Sequence, residues 1–384
     1  MGTEMHVVRI FSGTIGAVLH DRIVNPKTAT VKSKAVGVYT VRRTRQGKFI
    51  LPPARPWAID RIEGNGPMTL IISEPQTRKL IDMPAAVKLV EQIFRARAAG
   101  KTRNVPRRRL KGSQKQLNMM AAWSAESDLI CLRSYAAGAN IITLFDGGKG
   151  GAKGGIAAIV NMGFLSSLRT GAASGVAAKY LAPASSKVLG VIGPGWQATF
   201  QVEAIAETCD IEQVVVWGRT PKRRNDFIKQ MSKIVKADWK EVDTIDEVES
   251  VSDILVVSTD SSTPVATGNS LKNNVLVASI GANSTVKHEV SQNLIRRMDY
   301  IVVDDVAAAK ADSGDLVEAC QTSIGRWEDI VPLEKVIAEG VPQPRPKRIF
   351  FQSNGIADED LAVGKYVVDQ AKRKKIKLKI VTEI

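Results

Sequence analysis

Cysteine is scarce in this chain, whose 384 residues contain three. Cys131, Cys209 and Cys320 are widely separated and form no C-x-x-C pair, so their spacing predicts neither a disulfide framework nor a cysteine-based metal or redox motif. No metal site is predicted. We expect the three side chains to serve as small apolar groups.

Long apolar runs are also missing. None approaches the roughly 18 consecutive apolar residues that a membrane-spanning helix needs. The composition, 44% hydrophobic and 24% charged, is typical of a globular protein, and the length is sufficient for two domains with their own cores. We therefore expect no membrane partner and a cytoplasmic location.

The net charge of +15 is not accompanied by a nucleic-acid-binding motif. Residues 1–67 hold eleven Lys and Arg against four Asp and Glu, and a second basic cluster, 372–379, lies near the C-terminus. The positive charge is thus concentrated at the two ends of the chain. This distribution favours solvated tails and disfavours nucleic acid as a partner.

Residues 1–67 lack sustained apolar periodicity and contain repeated proline and glycine breaks. We interpret them as a basic N-terminal extension outside the core fold, which begins near Met68. From there, short β-branched runs and helical periodicities predict a mixed α/β domain. Its predicted elements are a strand at Thr69–Ile72, a helix at Met83–Ala98, an antiparallel sheet of Gln116–Ala122, Leu129–Tyr135, Asn140–Leu144 and Ile156–Met162, and an alanine-rich helix at Leu165–Ala182.

The stretch Lys187–Ala198, KVLGVIGPGWQA, is the strongest local signal. Its apolar run predicts a buried strand, and the glycine turn that follows leads directly into a helical periodicity. In dinucleotide-binding folds the first glycine, here Gly193, makes the tight turn, while the second, Gly195, lets the backbone approach the pyrophosphate. The helix N-terminus, at Trp196 and Gln197, would then receive the phosphate charge. We therefore predict a nucleotide site here.

Beyond this turn, strands and helices alternate, which predicts a parallel doubly wound sheet. Thr259 falls at the carboxyl end of one predicted strand, where ligands of such sheets bind. The further strands are predicted at Gln213–Trp217, Ile254–Ser258, Val275–Ile280 and Tyr300–Val303, and a final helix at Asp358–Lys374.

The residues after the second strand of this sheet indicate which dinucleotide binds. An acidic residue there would select the free ribose hydroxyl of NAD, but the sequence has Arg219 and Thr220 instead, followed by Arg223 and Arg224. Guanidinium groups bind a phosphate with charge-assisted hydrogen bonds. NADP(H) is therefore favoured, with NAD(H) possible, and an exposed basic turn without a ligand is the alternative interpretation.

Several segments together resemble the ornithine cyclodeaminase and μ-crystallin family. The resemblance covers about residues 68–374 and rests on the order and spacing of its pieces. These are Pro106-Arg107-Arg108, Arg169-Thr170 with the alanine-rich helix to Leu181, the glycine turn, Trp217-Gly218-Arg219-Thr220, Asp304-Asp305, Ser313-Gly314-Asp315-Leu316, and Gln352-Ser353-Asn354-Gly355 with Asp360.

The resemblance implies an α/β protein with a Rossmann-type doubly wound parallel sheet in residues 183–344. An α+β substrate-binding and dimerisation domain would comprise residues 68–182 and 345–384. It also implies a homodimer that transfers hydride at the Cα–N bond of a small imino or amino acid. Arg108, Arg133 and Arg169 would bind the substrate carboxylate. Thr170, Ser353 and Gly355 would join the glycine turn and Thr259 in binding NAD(P).

Two departures from the family pattern bear on the reaction. Cyclodeaminases of the family have carboxylates where this chain has Asn283 and Asn118, and an amide cannot take up a proton at neutral pH. Glu289 would supply the carboxylate if the alignment were shifted, and His288 is expected at the surface.

The missing carboxylates favour an NADP-dependent reductase of small imino or ketimine acids, with Asn283 in the site. An NAD-dependent cyclodeaminase is one alternative. A non-catalytic NADPH-binding and small-ligand-binding protein of the μ-crystallin type is the other.

Overall fold

The computed structural model describes residues 28–33, 37–43, 49–50, 69–136, 138–148, 154–376 and 379–381. The chain divides into two compact units, Met1–Gly64 and Asn65–Ile384. The first contains a three-stranded antiparallel sheet of β1 (Thr28–Ser33), β2 (Gly37–Arg43) and β3 (Phe49–Ile50), strands that the weak periodicity did not predict. The remainder of the predicted extension lies outside the described residues.

The second unit contains a mixed sheet, a parallel sheet and the helices that pack on them. No helix in the ranges given above is long and apolar enough to cross a membrane. The elements are β4 (Thr69–Ile72), α1 (Glu74–Thr77), α2 (Met83–Ala98), β5 (Thr102–Lys111), β6 (Gln116–Ser124), β7 (Leu129–Ala136), β8 (Ala139–Asp146), β9 (Gly155–Asn161), α3 (Gly163–Leu181), β10 (Val188–Ile192), α4 (Trp196–Thr208), β11 (Gln213–Trp217), α5 (Pro221–Met231), β12 (Asp238–Glu241), α6 (Ile245–Val251), β13 (Ile254–Val257), β14 (Val275–Ser279), α7 (Gln292–Arg296), β15 (Tyr300–Val303), α8 (Val306–Asp312), α9 (Gly314–Gln321), β16 (Val331–Pro332), α10 (Leu333–Glu339), β17 (Arg348–Gln352), α11 (Ala357–Arg373) and β18 (Lys379–Val381).

The mixed sheet has the strand order β18-β4-β9-β8-β7-β6-β5. Its strands pair antiparallel except for β4 and β9, so the predicted antiparallel sheet is confirmed. The edge strand β5 was not predicted because its sequence, TRNVPRRRLK, lacks apolar alternation. Its pairing with β6 is irregular between Val105 and Arg108, around Pro106, which has no N–H to donate.

The parallel sheet has the order β12-β11-β10-β13-β14-β17-β15-β16, and all its strand pairs are parallel. This order confirms the predicted α/β fold with a doubly wound sheet. Strand β17 lies between β14 and β15, and Ile349, Phe350 and Phe351 are buried in it. The chain therefore leaves the parallel sheet after Gln352 and not at the predicted residue 345.

Helix α3 packs unusually closely on α4, because its facing positions are glycines. A Cβ on Gly171 would lie 2.4 Å from the carbonyl oxygen of Phe200, and one on Gly175 would lie 2.6 Å from that of Ala204. Most of α3 is buried, and the close packing leaves no room for side chains larger than those of its alanines. This close packing brings the N-terminal half of α3, including Arg169, beside the glycine turn that begins α4.

Candidate active site

A cavity of about 1350 Å³ lies between the two sheets, at the carboxyl ends of the central parallel strands. Side chains from both sheets and from α3 form its walls. The predicted site residues that the structure brings together around it are Arg133, Arg169, Thr170, Gly193, Gly195, Trp196, Gln197, Arg219, Thr220, Thr259, Asn283, Ser353 and Gly355.

The two glycines of the turn differ in what requires them. Gly193 has a φ of +89°, and a Cβ there would lie 2.6 Å from the carbonyl oxygen of Ser258, so the fold itself demands glycine. Gly195 is the N-cap of α4, and a Cβ on it would meet no atom of the described residues within 4 Å. The open space at Gly195 fits a pyrophosphate approaching the helix N-terminus.

Ser167 on α3 fixes the first residues of α4. The indole Nε1 of Trp196 donates a 2.9 Å hydrogen bond to the Ser167 hydroxyl, and Gln197 Nε2 donates one of 3.2 Å to the Ser167 carbonyl oxygen. Thr170, one helical turn from Ser166, donates to the carbonyl oxygen of that residue at 2.8 Å. These bonds hold the cavity wall formed by Trp196, which is 56% exposed.

The basic residues after β11 separate into two groups. Arg219, Thr220 and Arg223 are exposed and line the cavity. Arg224 is buried instead, and it donates to the carbonyl oxygen of Gly218 at 2.9 Å and to the carboxylate of Asp243 at 2.8 Å. Arg224 therefore stabilises the turn, which leaves Arg219 and Arg223 facing the cavity.

Glu289 is a fully buried carboxylate that fixes the loops after β13 and β14. It accepts hydrogen bonds from the hydroxyl groups of Thr259 at 2.8 Å and Ser279 at 3.0 Å, and from the backbone N–H groups of Thr259, Gly281 and Ala282. Burial raises its pKa, which these donors partly oppose. Both its oxygens are thus engaged, so Glu289 is a structural residue.

Asn283 lines the cavity, on the loop that Glu289 fixes. His288 lies instead beside Glu318, with 3.3 Å between its Nδ1 and a carboxylate oxygen. Asn118 accepts a 2.8 Å hydrogen bond from Gln116. Neither His288 nor Asn118 is among the described residues that line the cavity.

Arg133 and Arg169 lie side by side in the cavity wall, and both are buried. Arg169 donates from Nε to Asp360 at 2.9 Å and from Nη1 to Glu359 at 2.7 Å. Burial lowers the pKa of Arg169, but the two carboxylates outweigh it and the net shift is upwards.

The neutralisation of Arg133 is less complete. Its nearest Asp360 oxygen lies at 3.5 Å, its Nη2 donates to Ser166 at 3.1 Å, and within the described part of the chain its Nε has no partner. Burial lowers its pKa. Arg133 is therefore a buried cation with an incomplete set of acceptors.

Three fully buried carboxyl groups surround these two arginines, those of Asp304, Glu359 and Asp360. Asp304 accepts from the N–H of Gly355 at 2.6 Å and from the Ser353 hydroxyl at 3.1 Å, and burial raises its pKa to about 6. Burial likewise raises the pKa of Glu359 to about 8, although Arg169 opposes the shift. Burial thus favours the protonated form of Glu359, against the pull of the Arg169 guanidinium.

Arg108, the third predicted carboxylate ligand, is exposed on β5 and is not among the described residues that line the cavity. Its neighbour Arg107 is buried and lines it. The irregular pairing around Pro106 decides which face of the sheet each arginine occupies. A run of three identical residues does not show in the sequence which of them faces the cavity. Of these two arginines, Arg107 and not the predicted Arg108 therefore faces the cavity.

Sequence reasoning also missed Tyr135, Asn140, Ser166, Lys287 and Asn354, which line the cavity. Asn140 pairs with Tyr135 across β7 and β8, so the mixed sheet contributes both. Lys287 follows Asn283 on the same loop and forms an ion pair with Asp260. The position of Ser166 one turn before Thr170 on a predicted helix was the one available signal.

The geometry agrees with that of known proteins. The delta(1)-pyrroline-2-carboxylate reductase of Thermococcus litoralis, in complex with NADH and L-proline, superposes with a TM-score of 0.75, at 26% identity over 82% of this chain and 100% of that one. The iminosuccinate reductase of Paracoccus denitrificans, in complex with NAD+, gives 0.75 and 27% identity over 83% and 100%. An archaeal alanine dehydrogenase dimer with bound NAD gives 0.75 and 29% over 83% and 100%.

These relatives confirm the predicted class of enzyme, an NAD(P)-dependent oxidoreductase acting on C–N bonds. Residues 68–375 match the model of the ornithine cyclodeaminase/mu-crystallin family. The predicted resemblance is thereby confirmed, and the chain belongs to the ornithine cyclodeaminase/mu-crystallin family.

Proposed function

We propose that this protein is an NADP-dependent reductase of small imino or cyclic ketimine acids, which acts in reverse as an amino-acid dehydrogenase. The observation that carries the proposal is Arg133, a buried cation beside the cavity with an unpartnered Nε among the described residues. A buried guanidinium requires an anion, and a substrate carboxylate satisfies it with paired hydrogen bonds.

Arg107 supplies the second contact of this carboxylate site. Its guanidinium is buried against the cavity, on the strand next but one to that of Arg133. Arg169 lies beside Arg133 at the cavity, and its bonds to Glu359 and Asp360 fix its guanidinium. A carboxylate held by two fixed guanidinium groups loses most of its rotational freedom, so the attached imine carbon takes a defined position.

The residues present fit a dinucleotide. Gly195 offers open space at a helix N-terminus, and Ser353, Gly355 and Thr259 form the wall where a nicotinamide would lie. When bound, the reduced nicotinamide supplies the hydride. Asn283 lines the cavity and would hydrogen-bond the substrate nitrogen, but an amide cannot accept a proton there. The nitrogen would therefore enter already protonated or take its proton from water. This requirement suits reduction of an imine and disfavours deamination.

The test is oxidation of NADPH or NADH, followed by absorbance, with pyrroline-2-carboxylate, piperideine-2-carboxylate, or an α-keto acid plus an amine. We expect turnover with at least one of them. Arg133→Met should raise KM by about 10²-fold, the effect of losing a charge-assisted contact of about 3 kcal/mol. Arg133→Lys keeps the charge and should retain part of the affinity.

Two outcomes would overturn the proposal. Release of ammonia and proline from ornithine without net change in NAD(P)H would identify a cyclodeaminase. Tight NADPH binding without turnover of any of these substrates would identify a binding protein.

The preference for NADP(H) rests on Arg219, Thr220 and Arg223, which are exposed at the cavity where the adenosine ribose would lie. The relatives described above bind NAD or NADH, so the preference for NADP(H) is not drawn from them but from these residues of the present chain. The double variant Arg219→Ala/Arg223→Ala should lower kcat/KM for NADPH about 10²-fold and leave NADH unaffected. Lys222→Ala, which removes an 82% exposed cation of the same turn, is the control. Equal losses for both cofactors would refute the preference.

A homodimer is proposed from the outer face of the mixed sheet. Val105, Leu110, Ile130 and Leu132 all lie on that face and are 37–62% exposed. Such a contiguous apolar surface is typical of a subunit interface. Sedimentation of the intact protein should give twice the chain mass, and Leu110→Arg should shift it towards the monomer. The cytoplasmic location stays a prediction.

A further inference from the structure

Two arginines of β5 share one buried carboxylate. Arg107 and Arg109 each donate from Nη1 to a different oxygen of Asp312, which is 1% exposed at the end of α8. Alternation along the strand brings these two arginines to the same face, and Arg108 to the other. Asp312 thus connects β5, the edge strand of the mixed sheet, to α8, the helix that follows strand β15 of the parallel sheet.

The second amino group of each arginine holds a loop of the cavity. Arg109 Nη2 donates to the carbonyl oxygen of Asn283 at 3.0 Å, and Arg107 Nη2 donates to that of Asn354, also at 3.0 Å. The Asn354 side chain in turn donates to the carbonyl oxygen of Ala282 at 3.1 Å. One carboxylate therefore connects the backbone on both sides of the reaction site.

The charges in this group do not balance. Two guanidinium groups face a single carboxylate, and one of the two, Arg107, borders the cavity. The excess positive charge is therefore available to a carboxylate in the cavity. Asp312 orients the Arg107 guanidinium and neutralises only part of its charge, because Arg109 shares the same carboxylate. Arg107 can therefore still bind an anion in the cavity.

We propose that Asp312 is a positioning residue for the reaction. It sets the distance between Arg107, which would bind the substrate carboxylate, and the Asn283 loop, which lines the same cavity. This inference rests on the proposed function. A misplacement of about 1 Å reduces hydride transfer by about 10²-fold, because the donor and acceptor carbons must be held in contact.

The experiment compares Asp312→Asn and Arg109→Ala with Lys111→Ala, which removes an exposed cation from the same strand. Asp312→Asn presents an amide N–H to one guanidinium and should raise KM for the imino acid at least about tenfold and lower kcat about 10²-fold. Arg109→Ala leaves Arg107 paired, so it should lower kcat about tenfold with little change in KM. Lys111→Ala should behave as wild type.

Two readouts separate positioning from a general loss of structure. Both variants of the bridge should show a larger kinetic isotope effect with NADPH deuterated at the transferred hydrogen, since hydride transfer becomes slower than the other steps. Their dissociation constants for NADPH should stay within about twofold of wild type, because the glycine turn is not touched. A folding defect would instead weaken NADPH binding and leave the isotope effect unchanged.

The inference is overturned if Asp312→Asn retains wild-type KM, kcat and isotope effect. It is also overturned if Arg109→Ala raises KM alone. Should the wild-type enzyme turn over no imino acid, the proposed function fails by itself, and calorimetric binding of L-proline still tests the bridge. Asp312→Asn should then bind L-proline at least about tenfold more weakly than wild type, and equal affinities would refute the role of Asp312.

Discussion

Gly355→Ala gives the sharpest test of how the buried charges are held. Gly355 has a φ of +79°, and a Cβ there would lie 2.6 Å from Nη1 and 2.9 Å from Nη2 of Arg169. A flexible arginine could swing away from a new methyl group. Arg169 cannot do so freely, because its Nε and Nη1 are bonded to Asp360 and Glu359.

The magnitude follows from these distances. Ordinary carbon contacts begin near 3.4 Å, so the guanidinium must retreat by about 0.8 Å. Such a shift lengthens the 2.7 Å bond to Glu359 beyond the range of a good hydrogen bond. The backbone strain costs about 1–2 kcal/mol, and losing a buried hydrogen bond to a charged group costs about 1.5–3 kcal/mol. We expect the free energy of unfolding to fall by about 3 kcal/mol or more.

Gly100→Ala is the matched control. Gly100 also has a positive φ, +68°, but a Cβ on it would have no neighbour within 4 Å among the described residues. It should therefore show the backbone strain alone, about 1–2 kcal/mol, with wild-type activity. Urea unfolding measures the first quantity, and steady-state kinetics with the imino acid measures the second.

The activity distinguishes the two variants most clearly. Gly355→Ala should lose about 10²-fold in kcat, because Arg169 supports the proposed carboxylate site and Gly355 itself lines the cavity. If Gly355→Ala has the same stability and kinetics as Gly100→Ala, the bonds to Asp360 and Glu359 do not hold Arg169 in place.

Three further predictions concern the glycine turn, the arginine run and a buried glutamate. Gly193→Ala should lower the melting temperature, whereas Gly195→Ala should melt as wild type. Gly195→Ala should instead bind NADPH about tenfold more weakly. Equal melting temperatures of the two variants would contradict this difference between the glycines. Arg107→Ala should raise KM at least about tenfold while Arg108→Ala, assayed as the same oligomer, should not; the reverse order would restore Arg108 to the site. Because burial raises the pKa of Glu359 to about 8, the folded state binds its proton more tightly than the unfolded chain. Stability is thus lost as the pH rises from the ordinary pKa of 4.5 to about 8. Glu359→Gln should flatten that decline, which reaches about 1.4 kcal/mol per pH unit in urea unfolding, whereas parallel curves would show an ionised Glu359.

Features carried by neighbouring residues could be predicted from the sequence. The strand, glycine turn and helix of Val188–Thr208 follow each other directly, so periodicity and two glycines were sufficient to indicate a nucleotide site. Helix α2 was predicted with its observed bounds, because its apolar side repeats at helical spacing. In the structure the Asp82 carboxylate caps its N-terminus. The family resemblance rested on similar short pieces.

Features that depend on which face a residue occupies could not be predicted in the same way. Arg107 and Arg108 are adjacent and chemically identical, and only the irregular pairing of β5 with β6 decides which of them is buried. Arg223 and Arg224 differ likewise, because packing of α5 turns Arg224 towards Asp243 and leaves Arg223 exposed.

The sequence by itself thus determined the class of the protein: a doubly wound fold, a dinucleotide turn, and the short motifs that resemble the family. The tertiary structure decided which charges meet. Asp312 lies more than 200 positions from Arg107, and Asp360 lies 191 positions from Arg169. No periodicity links residues so far apart, because their contact arises only when α8 and α11 pack against strands and helices formed much earlier in the chain.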